Sequence, residues 1–143
     1  MRVRLGRKGD YAIRAVLDLA RHEGRGRRKT REIADDMDIP ESYLPSILAE
    51  LVAAGLVTSL AGREGGYALA GPASSVSLLA VIEVAEGEID IEQCVLTGGV
   101  CGWEDECAVH RFWMAAHDAF RDRLGTVTFA DVAEVDALLS GGE

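Results

Sequence analysis

TREIADDMDIPESYLPSILAELVAAGLVTSLAGREGGYAL, residues 30–69, holds two amphipathic helical patterns, a turn and a glycine-linked pair of strand-like runs, in that order. Thr30 offers an N-cap and Glu32 suits the first-turn dipole of a two-turn helix. Its apolar side is Ile33, Ala34 and Met37, and it stops before Ile39-Pro40. After the turn, Leu44, Ile47, Leu48, Leu51 and Val52 follow the i, i+3, i+4, i+7, i+8 stripe of a buried helix face. Gly55 stands where a left-handed C-terminal residue is wanted. This leaves Ser42, Tyr43, Ser46 and Glu50 outward, small and polar over the N-terminal half, as suits entry into a major groove. Pro45 falls in the first turns, where proline costs less than in a helix interior. Leu56–Leu60 and Tyr67–Leu69 read as strands of a hairpin joined by Ala61-Gly62-Arg63-Glu64-Gly65-Gly66. No helix follows those glycines, as a nucleotide-phosphate loop would need.

Upstream, from Tyr11 to His22, Ala12, Val16, Leu19 and Ala20 recur at helical spacing, Ile13 and Leu17 widen the apolar face, and Gly24 ends the run. Three helices followed by a hairpin make a winged helix-turn-helix. Its third helix reads the major groove of double-stranded DNA, and its wing tip touches backbone or minor groove, with Arg63 as the tip contact.

The charge distribution agrees with that reading only when it is mapped along the chain. The 143 residues are 48% hydrophobic and 27% charged, enough for one core, and their net charge of -9 is wrong for a nucleic-acid binder. Yet residues 1–31 carry 11 Arg and Lys against 3 Asp and Glu, while the remaining 112 carry 4 against 21. A basic block on an otherwise acidic chain is a local phosphate-binding surface; read by itself, it is equally a solvated arm. The residues expected at DNA are Arg7, Lys8, Arg28, Thr30, Ser42, Tyr43, Ser46 and Arg63.

Beyond Gly71-Pro72 the chain changes character, so residues 1–72 are expected to form the DNA-binding domain and 73–143 a second region. That region holds a cysteine loop at about 92–108 and dimerization helices. A fourth helix follows Ser77, with Leu78, Val81, Ile82 and Ala85 on one face, and ends at Gly87. From Val109 the apolar residues Val109, Phe112, Trp113, Ala116, Phe120 and Leu124 form a narrow seam on a helix of four to five turns. Such a seam suits packing on the chain's own wing domain or on a second copy. Because helix-turn-helix proteins usually read two half-sites, the dimer is favored, Phe112, Trp113, Ala116, Phe120 and Leu124 are assigned to its interface, and the operator is expected to be pseudo-palindromic. Thr128-x-x-Asp131 resembles a capping box for a last helix, and residues 140–143 a frayed tail. The fold class is therefore mainly α: a winged helix-turn-helix with a two-stranded wing and a long C-terminal dimerization helix.

All three cysteines, Cys94, Cys101 and Cys107, fall in CVLTGGVCGWEDEC, with Gly98, Gly99 and Gly102 between them. Three thiolates suit an iron-sulfur cluster or zinc, and the lack of a Cys-x2-Cys pair puts structural zinc second. Three buried thiols, or one disulfide and a free thiol, is the plainer reading. The odd thiol count, the absence of a secretory signal and of an apolar run near ~20 residues point to a reducing cytoplasm and no membrane span. A cysteine-dependent enzyme is the competitor from another class. Cys107 and His110 lie close in sequence, but nothing supplies an orienting acid or an oxyanion site. His22 and His117 lie on helices without partners at ligand spacing and are read as surface or interface residues.

Taken together, RKGDYAIRAVLDLA, EIADDMDIPESYLPSILAELVAAGLV, the GREGGYALA wing, the three cysteines ahead of a long helix, and TVTFADV resemble the Rrf2 family of bacterial transcription regulators. That family contains the IscR-type and NsrR-type proteins, and the resemblance covers nearly the whole chain. It implies a homodimer with crossing long helices, in which Cys94, Cys101 and Cys107 ligate an iron-sulfur cluster whose state alters promoter binding. His110 stands where IscR-type members complete a 2Fe-2S site. Asp10 stands where NsrR-type members supply a carboxylate from the other subunit to a 4Fe-4S cluster, and is the favored fourth ligand. The implied signal is redox, iron-sulfur or nitric oxide status. Pro45 and Ser46 replace the longer polar side chains that many members carry on the recognition helix, so the operator sequence does not carry over.

Overall fold

The computed structural model describes residues 3–88 and 107–141. Helix α1 spans Arg7–Arg21, beginning four residues earlier than the apolar periodicity predicts. The reason is a cap from far along the chain: Glu86 Oε1 accepts the backbone N–H of Gly6 (2.8 Å) and of Gly9 (3.0 Å) at the helix start. A Cβ on Gly9 would stand 2.5 Å from that oxygen, so the glycine is what lets the carboxylate in.

Helix α2 spans Thr30–Met37. Its N-cap is Lys29, not Thr30, because Glu32 at the third helical position reaches back to the Lys29 N–H (2.8 Å) and moves the first turn up by one residue. At its other end Asp38 adopts a left-handed conformation (φ 54°). Arg14 Nη1 donates to the carbonyls of Met37 (3.3 Å) and Asp38 (3.2 Å), satisfying groups the helix leaves unpaired. A single 3-10 turn, Glu41–Tyr43, leads into α3, Leu44–Ala53, with Pro45 in its first turn and Gly55 at φ 80° beyond its end, as the sequence predicts.

Strands β1 (Val57–Leu60) and β2 (Gly66–Leu69) pair antiparallel, with Val57 opposite Leu69 and Leu60 opposite Gly66. A short bridge from the arm before α2 extends this ribbon: Arg28 and Tyr67 exchange both backbone hydrogen bonds at 2.8 Å. Gly66 (φ 131°) permits that approach, since a Cβ there would lie 2.5 Å from the Arg28 carbonyl oxygen.

Helix α4 (Leu78–Glu86) is capped by Ser77, α5 spans His110–Thr126, and α6 (Phe129–Ser140) opens on the predicted box. In that box Thr128 Oγ1 accepts the Asp131 N–H, and Asp131 accepts that of Thr128. Among the described residues the core is one cluster. Val16 of α1, Ile33 of α2, Leu44, Leu48 and Leu51 of α3, Val57 of the wing, Val81 of α4 and Phe129 of α6 are all buried in it. Packing therefore runs across residue 72: α4 and α6 both lie on α1.

Asp136 fixes α6 to α1 by a two-pronged pair with Arg21, at 2.6 Å to Nε and 2.8 Å to Nη2. The hydrogen bond from Arg21 holds its carboxyl below the usual carboxylate range. With the folded pKa depressed, the pair stabilises the fold above the unfolded value of about 3.9, and that contribution is lost as pH falls through the folded pKa. Because both groups are partly exposed, it is worth about 1 kcal/mol or less. Asp136→Asn should lower the melting temperature by about 2–4 °C at pH 7. The gap to the unaltered protein should narrow as pH is taken toward about 3 and below; a calorimetric difference that stays constant across that range would refute the assignment.

Candidate nucleic-acid interface and metal centre

The candidate recognition face is built from the turn before α3 and the first turn of that helix. Ser42, Tyr43 and Ser46 are exposed there, while Leu44, Ile47, Leu48 and Leu51 hold the helix down in the core. Tyr43 is set by α1: Arg7 Nη1 donates to its hydroxyl (2.9 Å), the Arg7 guanidinium lies 5.6 Å from its ring centroid, and the Tyr11 ring packs against it at 5.4 Å. Lys8 Nζ pairs with Glu50 Oε1 of α3 at 2.6 Å, so its charge is shared with the recognition helix. Arg63 is exposed at the wing tip, and Thr30, half-buried, is the first residue of α2.

Arg28 stands apart from the other expected contacts. Its guanidinium turns inward to Asp18, a fully buried carboxylate on α1, at 3.0 and 3.2 Å, and also pairs with Asp36 and with Glu32. The backbone pairing to Tyr67 makes the arm locally extended, and successive side chains of an extended segment point to opposite sides. Arg28 goes to the core; Arg27 and Lys29 go to the wing. Arg27 Nη1 donates to the Thr58 carbonyl (3.1 Å), and Lys29 Nζ to the carbonyls of Gly62 (2.9 Å) and Arg63 (2.8 Å). Residue type alone marks all of these as phosphate ligands. The signal that separates them is the alternation of Arg27, Arg28 and Lys29 immediately before a helix.

Of the expected metal ligands, Cys94 and Cys101 lie outside the described residues. Cys107 is half-buried and in no disulfide, three residues before His110, which opens α5. Asp10 lies in the first turn of α1; the N-cap position is Gly6, and the capping oxygen comes from Glu86 and not from Asp10. Its Oδ1 accepts from Arg14 Nε at 2.9 Å. It lines an open hollow of about 450 Å³ with Leu5, Gly6, Arg7, Tyr11 and Ile13. Glu86, whose side chain caps α1 beside this hollow, is the last residue of α4, only eight residues ahead of Cys94 in the chain. Among the described residues no three His, Cys, Asp or Glu side chains come together as a metal site.

His22 is half-buried, its Nδ1 2.8 Å from the Asp18 carbonyl oxygen. His117 sits mid-way along α5, and its ring nitrogens are buried without hydrogen-bond partners among the described residues. No α5 side chain in the described residues is fully buried, and Phe112 (77% exposed), Phe120 (48%) and Trp113 (38%) lie open along it. Ala116 is exposed and Leu124 half-buried on the same helix. No helix among the described residues is long and apolar enough to cross a membrane.

A wing, a braced recognition helix and a basic first helix define a DNA-binding winged-helix transcription regulator. The chain belongs to the Rrf2 family, described as iron-dependent transcriptional regulators, which it matches over residues 5–135. It is 32% identical to the HTH-type transcriptional regulator IscR of Escherichia coli over 137 residues, covering 96% of this chain and 84% of that one. Among solved structures it is similar to CymR, the global cysteine regulator of B. subtilis. That match has a TM-score of 0.79 and 30% identity, over 94% of this chain and 98% of that one. It is also similar to T. potens IscR, with a TM-score of 0.75 and 28% identity, over 94% and 88%. These relatives are transcription regulators, and the enzyme alternative ends there.

Proposed function

We propose that this chain is a cytoplasmic, homodimeric regulator that binds a pseudo-palindromic operator. Its affinity is set by an iron-sulfur cluster on Cys94, Cys101 and Cys107, with Asp10 of the partner subunit as the fourth ligand. The observation that carries the reading is that the whole thiol complement of the chain lies between α4 and α5, Cys107 being an unpaired, half-buried thiol at the mouth of α5. The donor set fits such a group: soft thiolates for iron, and in Asp10 a carboxylate that is accessible on an open hollow. When bound, the cluster would be held by the thiolates of Cys94, Cys101 and Cys107 and would supply iron that reacts with small oxidants or nitric oxide.

The protein's own residues offer a route from the Asp10 carboxylate to the DNA-binding elements. Asp10 is paired with Arg14, and the same guanidinium caps the end of α2, at the turn of the helix-turn-helix. Lys8, two residues earlier, is paired with the recognition helix. Whatever holds or releases the Asp10 carboxylate therefore acts on α1 where it braces both α2 and α3, and a shift there changes the separation of two reading heads.

Anaerobic purification followed by absorbance and Mössbauer spectroscopy tests the reading. A brown protein with a single broad band of the 4Fe-4S type supports Asp10; resolved 2Fe-2S bands would instead assign His110. A colorless, zinc-loaded protein overturns the sensing role. Cys101→Ala should abolish the visible absorbance and change operator affinity by about 5–150-fold. Cluster-dependent binding that survives this substitution unchanged would also refute it.

A further inference from the structure

The basic arm before α2 has a second use that its charge conceals. Lys29 Nζ bridges two consecutive carbonyl oxygens at the wing tip, those of Gly62 (2.9 Å) and Arg63 (2.8 Å). The Gly62 oxygen also accepts the Gly65 N–H at 3.0 Å, so the ammonium joins the hydrogen bond that closes the turn. Gly62 sits at φ 97°, and a Cβ on Gly65 would fall 2.0 Å from the Leu60 carbonyl oxygen, which marks the turn as a tight one. Arg27, two residues back on the same side of the arm, donates to Thr58 in β1 and to Gly66 at the start of β2. A two-stranded ribbon is marginal by itself. This one is bridged by Arg27 between β1 and the start of β2 and held at its tip by Lys29.

We propose that Lys29 is a positioning residue for DNA binding. It fixes the Gly62–Arg63 backbone so that the Arg63 side chain is presented to the duplex, and its own ammonium is spent on carbonyls and not on phosphate. This rests on the reading that the wing tip contacts DNA through Arg63. The geometry makes the two roles separable, because Arg63→Ala removes the DNA-facing side chain while leaving the carbonyl that Lys29 grips.

The test uses the full-length protein, purified anaerobically, and a duplex that the unaltered protein selects from a random-sequence library, with affinity measured over a range of salt concentrations. Arg63→Ala should weaken binding about tenfold and lower the salt slope by about 0.9, the loss of one phosphate contact. Lys29→Met should weaken binding about fivefold in the unaltered background and less than about twofold once Arg63 is Ala, the non-additivity of two residues acting through one contact. Lys29→Arg, which still offers several donors, should recover most of the loss. Faster hydrogen exchange at the Gly65 amide in Lys29→Met, with an unchanged melting temperature, would report a loosened tip in a folded protein. If Lys29→Met unfolds the chain, Lys29→Gln takes its place in the same cycle. Effects of Lys29 and Arg63 that multiply, with their slope changes adding, would make Lys29 a phosphate ligand and overturn the proposal. So would a silent Lys29→Met beside a damaging Arg63→Ala. A silent Arg63→Ala overturns the wing reading itself, and the role of Lys29 falls with it.

Discussion

Asp18→Asn should destabilise the protein by about 3 kcal/mol, at the lower end of the range for breaking a buried ion pair, and lower its melting temperature by about 10 °C. Asp18 has no accessible surface, and both its oxygens are occupied by Arg28 at 3.0 and 3.2 Å. Removing the charge leaves a guanidinium only 13% exposed without its principal partner. Asp36 and Glu32, which also contact Arg28, keep the loss from the upper end of the range. Because the Arg28 backbone pairs with Tyr67, the damage should spread to the wing before the rest of the core. Replacing both partners by apolar residues of similar size, Asp18→Leu with Arg28→Met, should recover most of the stability, since a well-packed apolar pair is often no worse than a buried ionic one. Chemical denaturation measures all three. A loss below about 1 kcal/mol for Asp18→Asn would show that the pair is solvated and that Arg28 remains free for DNA.

That pair also shows where sequence reasoning succeeds and where it stops. The three helices, the hairpin, the cap at Ser77 and the box at Thr128–Asp131 are local: each depends on residues within one or two turns of one another. The start of α1 is not local. Its cap is Glu86, 80 residues from Gly6, and nothing around Arg7 announces it, so the helix was expected to begin at Tyr11. Charge is legible in amount and not in direction. Eleven basic residues in the first 31 mark a candidate phosphate-binding region as a class. Whether a given side chain faces DNA, a carboxylate or a carbonyl depends on the Arg28–Tyr67 bridge, a pairing of residues 39 apart in the chain. Cys107 and Asp10 illustrate the same limit from the other side. Their chemistry is readable from residue type, while a meeting between subunits is a property of an assembly and not of one chain's sequence.

Phe112→Asp combined with Phe120→Asp should convert the proposed dimer to a monomer and weaken operator binding by about 10²–10⁴-fold, the advantage that linking two reading heads confers over one. Helix α5 runs for seventeen residues without one fully buried side chain, and carries Phe112 at 77% and Phe120 at 48% exposure, eight positions apart and so near one face. An apolar row of that kind on a helix of a globular chain is the surface the proposed dimer would cover. Phe112 and Phe120 carry little of the subunit's own core, so their replacement should leave the helical circular dichroism and the melting transition of the single chain nearly intact. Trp113 remains on the same seam as a reporter, and its emission should shift to the red as the partner's cover is removed. Light scattering gives the mass and a titration with the selected duplex gives the affinity. The two must move together: a monomer that still binds the full operator with unaltered affinity would mean that one winged helix suffices, and a variant that stays dimeric would place the interface off α5. The same variant bears on the fourth ligand. Asp10 lies on α1, so if the partner subunit's Asp10 completes the cluster, the monomer should also lose the 4Fe-4S absorbance although all three cysteines are untouched. His110, in the same chain as those cysteines, would let the color survive.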